Sequence, residues 1–219
     1  MDVPQVLRSL PDHDVERLLR AGRENTYARR EVLVHEGEDS ATFHIVLDGR
    51  VAVQITKPSG ETSIVNIMGR DSHFGEVSLL GTGTPYRTAT VVALEPVRTL
   101  SIPATVFHEL RERNPRLEQL VSRLLAQRVQ ELTALLVEAM YDSLDRRVVR
   151  RLAALCHIYR TSADTATIPL TQVEVAELCG GTRPSVNQVL HRLVDEGILE
   201  LGRGRIVVKD LPALERLDA

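Results

Sequence analysis

The sequence predicts an α+β chain in which a double-sheet β unit is followed by one long helix and then by a small helical unit ending in a hairpin. Three observations carry that prediction. Across residues 27–103, short β-rich segments recur at intervals of roughly 8–12 residues with glycine turns between them. Across 117–140, apolar residues at steps of three and four sustain a single helical stripe. Across 170–208, two short helical patterns separated by Gly180-Gly181 lead into a glycine-bearing hairpin.

Composition sets the outer limits. The chain has 219 residues, 43% hydrophobic and 26% charged, enough for two modest cores. No run of about 18 apolar residues occurs, so no membrane span and no membrane partner are expected. The first twenty residues carry Asp12, Asp14 and Glu16, unlike a secretory leader, and the expected location is cytoplasmic. Cys156 and Cys179 belong to no CxxC pair, which favours buried helical thiols over a metal or iron–sulfur site. The net charge of −3 does not advertise a polyanion partner. Residues 1–142 hold 16 Lys+Arg against 20 Asp+Glu, and residues 143–219 hold 11 against 10. Any case for nucleic acid must therefore rest on where individual charges stand.

Taken in order, residues 4–25 read as one or two short helices, with Pro11 as the break and Asp12 as the expected N-cap of the second. Strands are expected at 31–35, 43–47, 51–55, 63–68, 89–93 and 97–102. The turns between them include Asp48-Gly49, Pro58-Ser59-Gly60 and Gly69-Arg70-Asp71. Such a series suits a double-stranded β-helix, or jelly roll. Residues 104–141 are helical. Their stripe (Leu117, Leu120, Val121, Leu124, Leu125, Val129, Leu132, Leu135, Leu136) either packs on the chain's own β unit or forms the seam of a parallel two-helix coiled coil, hence a homodimer. Residues 143–160 form an amphipathic helix with Val148, Val149, Leu152, Leu155 and Ile158 inward, and 161–167 a polar loop.

The stretch LTQVEVAELCGGTRPSVNQVLHRLVDEGILEL (170–201) is the most informative. Thr171 with Glu174 makes a capping box. Val173, Val175, Ala176 and Leu178 are the expected buried face of the first helix, Gly180-Gly181 the turn, and Thr182 the cap of the next. Pro184 is tolerated in a first helical turn, where its missing N–H has no partner to lose. Two short helices, a tight turn and the hairpin 198–208 make a winged helix-turn-helix. In that motif the second helix meets the DNA major groove with its early residues, here Arg183, Ser185, Asn187 and Gln188. Arg can fork onto guanine, and Asn or Gln can bracket adenine. Thr171, Thr182 and Ser185 suit phosphates, and Arg203 and Arg205 give the wing tip a basic edge for the DNA backbone.

Three stretches together carry a family resemblance: VHEGEDSATFHIVLDGRVAV (34–53), FGEVSLLGTGTPYRTATV (74–91) and the helix-turn-helix. The chain resembles the Crp/Fnr family over nearly its whole length. The resemblance implies a cyclic-nucleotide-binding β domain (1–115), a dimerisation helix (116–141) and a winged helix-turn-helix DNA-binding domain (142–219). It also implies a homodimer on a palindromic double-stranded DNA operator, action on RNA polymerase, and allosteric control by cyclic AMP or a related nucleotide. The implied ligand residues are Gly75, Glu76, Val77, Ser78, Arg87, Thr88 and, from the long helix, Thr133. The chemistry fits: backbone N–H groups and Arg87 suit a cyclic phosphate, and acceptor-only Glu76 suits a ribose hydroxyl. A hinge is expected at 141–144. Where the family's base readers include a glutamate, this chain has Pro184, which implies a shifted operator.

Other readings of the same residues stay open. Glu76 and Arg87 can form a structural ion pair in an empty pocket, leaving a ligand-independent regulator; cyclic di-GMP or another effector can replace cyclic AMP. Haem would have to use His35, His44 or His73. A cupin-like metalloenzyme needs clustered ligands, and His35, Glu36 and His44 lack the close His-x-His spacing. The expectation is a regulator without enzymatic activity, cofactor or bound metal.

Overall fold

The structure, a computed structural model, describes residues 3–39, 41–57, 60, 62–80, 86–159 and 164–217. The expected turn at Pro58-Ser59, residues 81–85 of the second family stretch and residues 161–163 of the polar loop lie outside the described residues. Two compact units divide the chain, residues 1–62 with 66–132 and residues 133–219 with 63–65, so the main division falls inside the long helix, between Leu132 and Thr133.

The first unit begins with a 3-10 turn (Gln5–Leu7) and α1 (Asp12–Ala21). The strands follow: β1 (Arg23–Tyr27), β2 (Val32–Val34), β3 (Thr42–Asp48), β4 (Val51–Thr56), β5 (Thr62–Met68), β6 (His73–Phe74), β7 (Thr90–Ala93) and β8 (Val97–Pro103). A second 3-10 turn, Glu76–Leu80, lies between β6 and β7, and α2 (Ala104–Arg111) and α3 (Pro115–Tyr141) close the series. The strands form two four-stranded sheets, ordered β1-β8-β3-β6 and β2-β7-β4-β5. In β3 the alternation of side chains serves two environments. Phe43 and Ile45 join Leu100, Ile102, Phe107 and Leu117 in a core shared with the helices. Phe43 and Phe107 meet edge-on, 5.4 Å between ring centroids. His44 lies on the other face, stacked on Phe74 at 4.6 Å.

Several local expectations need correction. Asp12 is the first helical residue, not the cap; Pro11 is the N-cap and no side chain caps the helix. The chain leaves the helix at Gly22, and β1 runs where helix was expected to continue, pairing with β8 from Arg23↔Ser101 to Tyr27↔Val97. The two-residue strand β6 was too short for any pattern to show.

In the second unit, α4 (Leu144–Tyr159), α5 (Gln172–Leu178), α6 (Arg183–Asp195) and α7 (Leu211–Arg216) surround a sheet of β9 (Ala166–Ile168), β10 (Leu199–Gly202) and β11 (Arg205–Val208), ordered β10-β11-β9. β9 falls partly in the expected polar loop; Ala166 and Ile168 are buried while Thr167 faces out. Val173 is exposed rather than buried, and Val175, Ala176 and Leu178 carry the inner face of α5. Cys156 is buried within α4, and Cys179 is buried at the C-cap of α5, where burial pushes its thiol up to about 12. Near the end of α3, Glu138 pairs with Arg151 at 3.1 Å and Asp142 with Arg150 at 2.5 Å, so the turn into α4 is braced by two ion pairs.

Candidate functional site

The first unit holds a cavity of about 620 Å³. Val34, Val53 and Val91 from β2, β4 and β7 give it an apolar wall. Gly75, Glu76, Val77, Arg87 and Thr88, all expected at a ligand site, line it together. Two expected residues do not. Ser78 is buried, and its hydroxyl donates to the Gly75 carbonyl at 2.6 Å, closing the 3-10 turn instead of facing the cavity. Thr133 lies on another side of α3: the cavity-facing residues are Leu120, Arg123, Leu124, Gln127, Arg128 and Glu131. Two residues beyond Glu131, a helix has turned by about 200°.

Arg87 is the centre of the polar wall. It is 7% exposed. Its Nη2 donates to the Thr42 carbonyl at 3.0 Å, to Thr42 Oγ1 at 2.7 Å and to His44 Nε2 at 3.3 Å. Among the described residues its buried Nη1 has no partner. Because a guanidinium only donates, His44 Nε2 must accept, which puts the ring proton on Nδ1. Burial, with the Arg87 charge added, holds the His44 pKa down at about 3, so the ring is neutral. Burial also lowers the Arg87 pKa, and Glu38 and Glu76 oppose that shift.

Gly75 makes this packing possible. Its φ of +84° is a backbone conformation that favours glycine. A Cβ there would also lie 2.6 Å from the Thr42 carbonyl and collide with Arg87 Nη1. The ion partner of Glu76 is Arg128 of α3, at 3.9 Å, and not Arg87. Arg128 also reaches Glu131 at 3.4 Å, and Gln127 donates to Glu131 at 3.0 Å. These α3 residues were missed in the sequence because only the helix phase selects them.

The second unit holds the other candidate site. Thr171 caps α5 with the full reciprocal box: its Oγ1 accepts from Glu174 N–H at 3.2 Å and its N–H donates to the Glu174 carboxylate at 2.6 Å. The turn uses Gly180 at φ +61°. Thr182 caps α6, accepting from Ser185 N–H at 3.4 Å, and its hydroxyl contacts that of Ser185 at 2.8 Å. Both hydroxyls are thus engaged in shaping the helix start. Val186, Val189, Leu190 and Leu193 bury one side of α6. Arg183, Pro184 and Gln188 stand exposed on the other, and the equally exposed His191, not singled out from sequence, lies one turn further on. Asn187 is half-buried, with its Oδ1 unpartnered among the described residues. Arg203 and Arg205 are exposed at the β10–β11 turn.

Comparison with known proteins matches both units. Residues 24–114 fit the cyclic nucleotide-binding domain, and residues 146–217 fit the Crp-like helix-turn-helix domain. The chain belongs to the Crp/Fnr family. It is a transcription regulator of the Crp/Fnr type, built from those two domains. Among its relatives, the Cyclic AMP receptor protein of Thermus thermophilus is 27% identical over 215 residues, covering 97% of this chain and 95% of its own. The CRP-like cAMP-activated global transcriptional regulator of Mycobacterium tuberculosis is 26% identical over 193 residues, 87% of this chain and 85% of that one. The structure of FixK2 from Bradyrhizobium japonicum superposes with a TM-score of 0.77 at 18% identity, covering 90% of this family member and 98% of FixK2, and supports the fold. No helix among the described residues is long and apolar enough to cross a membrane.

Proposed function

We propose that this regulator works as a homodimer on a palindromic DNA operator, where it acts on RNA polymerase, and that a cyclic nucleotide in the first unit's cavity controls its DNA affinity. Arg87 carries the ligand reading. A buried cation with a nitrogen left over, in a cavity shared with a glutamate and a threonine hydroxyl, suits a small anion bearing a sugar. Gly75, Glu76, Val77, Arg87 and Thr88 would hold the cyclic phosphate and ribose. The two relatives named for cyclic AMP make that nucleotide the starting expectation for the base.

Val129, Leu132 and Leu136 support the dimer: they continue the α3 stripe at steps of three and four, and each is at least half exposed. Segment 116–141 would then be the dimerisation helix, between an effector domain (1–115) and a DNA-binding domain (142–219). Two copies of α6 about 34 Å apart would enter successive major grooves. Arg183, Asn187 and Gln188 would meet bases, and Thr171, Thr182, Ser185, Arg203 and Arg205 the phosphate backbone. A ligand that prefers this spacing shifts the population towards it.

The test is calorimetric titration of nucleotide-free protein with cyclic nucleotides, repeated on Arg87→Ala, with operator binding measured with and without ligand. Saturable binding lost in the variant, with a change in operator affinity, supports the reading. Folded protein that binds operator identically in the presence and absence of every nucleotide overturns it in favour of a ligand-independent regulator.

A further inference from the structure

Taking the cavity as a cyclic-nucleotide site, as proposed above, the α3 wall is left without a role. That wall has Leu120 and Leu124 as its apolar part, carries no hydroxyl, and is otherwise polar. It presents Gln127, Arg128 and Glu131, with Arg123 one turn earlier. Glu131 is held from two sides, accepting from Gln127 Nε2 at 3.0 Å and from Arg128 Nη1 at 3.4 Å. Arg128 also reaches Glu76 at 3.9 Å. A chain of charges therefore runs from the carboxylate assigned to the ribose to a second carboxylate on the helix. Glu131 lines the cavity, and its side chain remains about half exposed.

We propose that this wall reads a guanine base, that the effector is cyclic GMP, and that Glu131 is the specificity-determining residue. The argument is donor–acceptor matching. Guanine carries N1–H and the N2 amino group side by side, two donors that the two oxygens of one carboxylate accept together; a carboxylate can only accept. Adenine instead sets its N6 amino group beside the bare N1 lone pair, so one carboxylate oxygen would face an acceptor. Guanine's O6 and N7 are acceptors, which suit the donors of Arg128 and Gln127; adenine offers a donor at the same edge. The existing bonds to Gln127 and Arg128 orient the Glu131 carboxylate before ligand arrives, which lowers the ordering cost of binding. The cyclic phosphate stays with Arg87, whose buried guanidinium keeps one nitrogen unpartnered among the described residues.

The experiment is calorimetric titration of the full-length, nucleotide-free protein with cyclic GMP, cyclic AMP and cyclic di-GMP, for the wild type, Glu131→Gln and Arg87→Ala. The wild type is expected to bind cyclic GMP about ten- to a hundredfold more tightly than cyclic AMP, the value of one bidentate base pair contact. Glu131→Gln offers one acceptor and one donor, the complement of adenine, and is expected to move the ratio at least about tenfold towards cyclic AMP. Arg87→Ala is expected to lose both mononucleotides. Cyclic AMP binding as tightly as cyclic GMP, or a ratio unmoved in Glu131→Gln, overturns the guanine assignment and leaves the cyclic-nucleotide site standing. Cyclic di-GMP binding more tightly than cyclic GMP overturns the mononucleotide as the source of the base. Folded protein that binds none of the three overturns this assignment and the underlying reading together.

Discussion

Arg87 is 7% exposed and donates to three acceptors on one strand, whereas Arg183, Gln188 and Arg203 stand in the open on elements held by their buried sides. The first site is part of the packing of its unit; the second is mounted on packing that does not need it. Substitutions in the cavity should therefore couple stability to ligand binding, and substitutions on the DNA face should separate the two.

The strongest test of that contrast is Gly75→Ala. A positive φ and a methyl group set against the Thr42 carbonyl should cost about 3 kcal/mol of unfolding free energy in urea titrations and abolish nucleotide binding. Next is Arg87→Ala. Losing its charge-assisted contacts should weaken nucleotide binding at least about a hundredfold and lower the unfolding free energy by about 2 kcal/mol, because Thr42 and His44 keep buried acceptors that have lost their donor.

His44 supplies a pH test of the same packing. Its folded pKa of about 3 lies below the ordinary 6.5, so the unfolded chain binds the extra proton between those values. The neutral ring's contribution is present in full above pH 6.5 and is lost as pH falls towards 3. Chemical denaturation across that range should show stability declining with acid, with a shallower slope in His44→Gln.

On the DNA side, Gln188→Ala should weaken binding to an operator selected from random DNA by about tenfold and relax the preference at one position, with an unchanged melting temperature. The smallest effect belongs to Arg203→Ala: a few-fold loss, uniform across sequences, and a salt slope reduced by about one. A melting temperature that fell with either DNA-face variant would break the comparison.

How much could be read in advance follows the same divide. The Thr171–Glu174 box, the Gly180 turn and the Thr182 cap are local signals, set within a few residues of one another, and all three take the form the sequence implied. The jelly-roll strands were legible from their alternation, except where alternation had no length to act on. β6 has two residues, and β1, reading RENTY, is polar because it sits at a sheet edge. The cavity was half legible. Gly75, Glu76, Arg87 and Thr88 lie within one motif, but the partners of Arg87 come from β3 and those of Glu76 from α3. Thr133 lies outside this chain's own cavity lining, and it shows how strictly helix phase selects: a shift of one or two positions, harmless in a strand boundary, turns a helical side chain by about 100–200°.

α3 carries two audiences on one body. Leu124, Gln127 and Glu131 face the cavity, while Val129, Leu132 and Leu136 stand about 150° round the same helix. A helix does not shear between its faces, so the two cannot adjust independently. Rolling it by about 20° sweeps side-chain ends, about 5–6 Å from the axis, through about 2 Å on both sides at once. Whatever settles against one face therefore sets the angle offered by the other, as torque passes along an axle, with no chain of intermediate contacts to weaken the message.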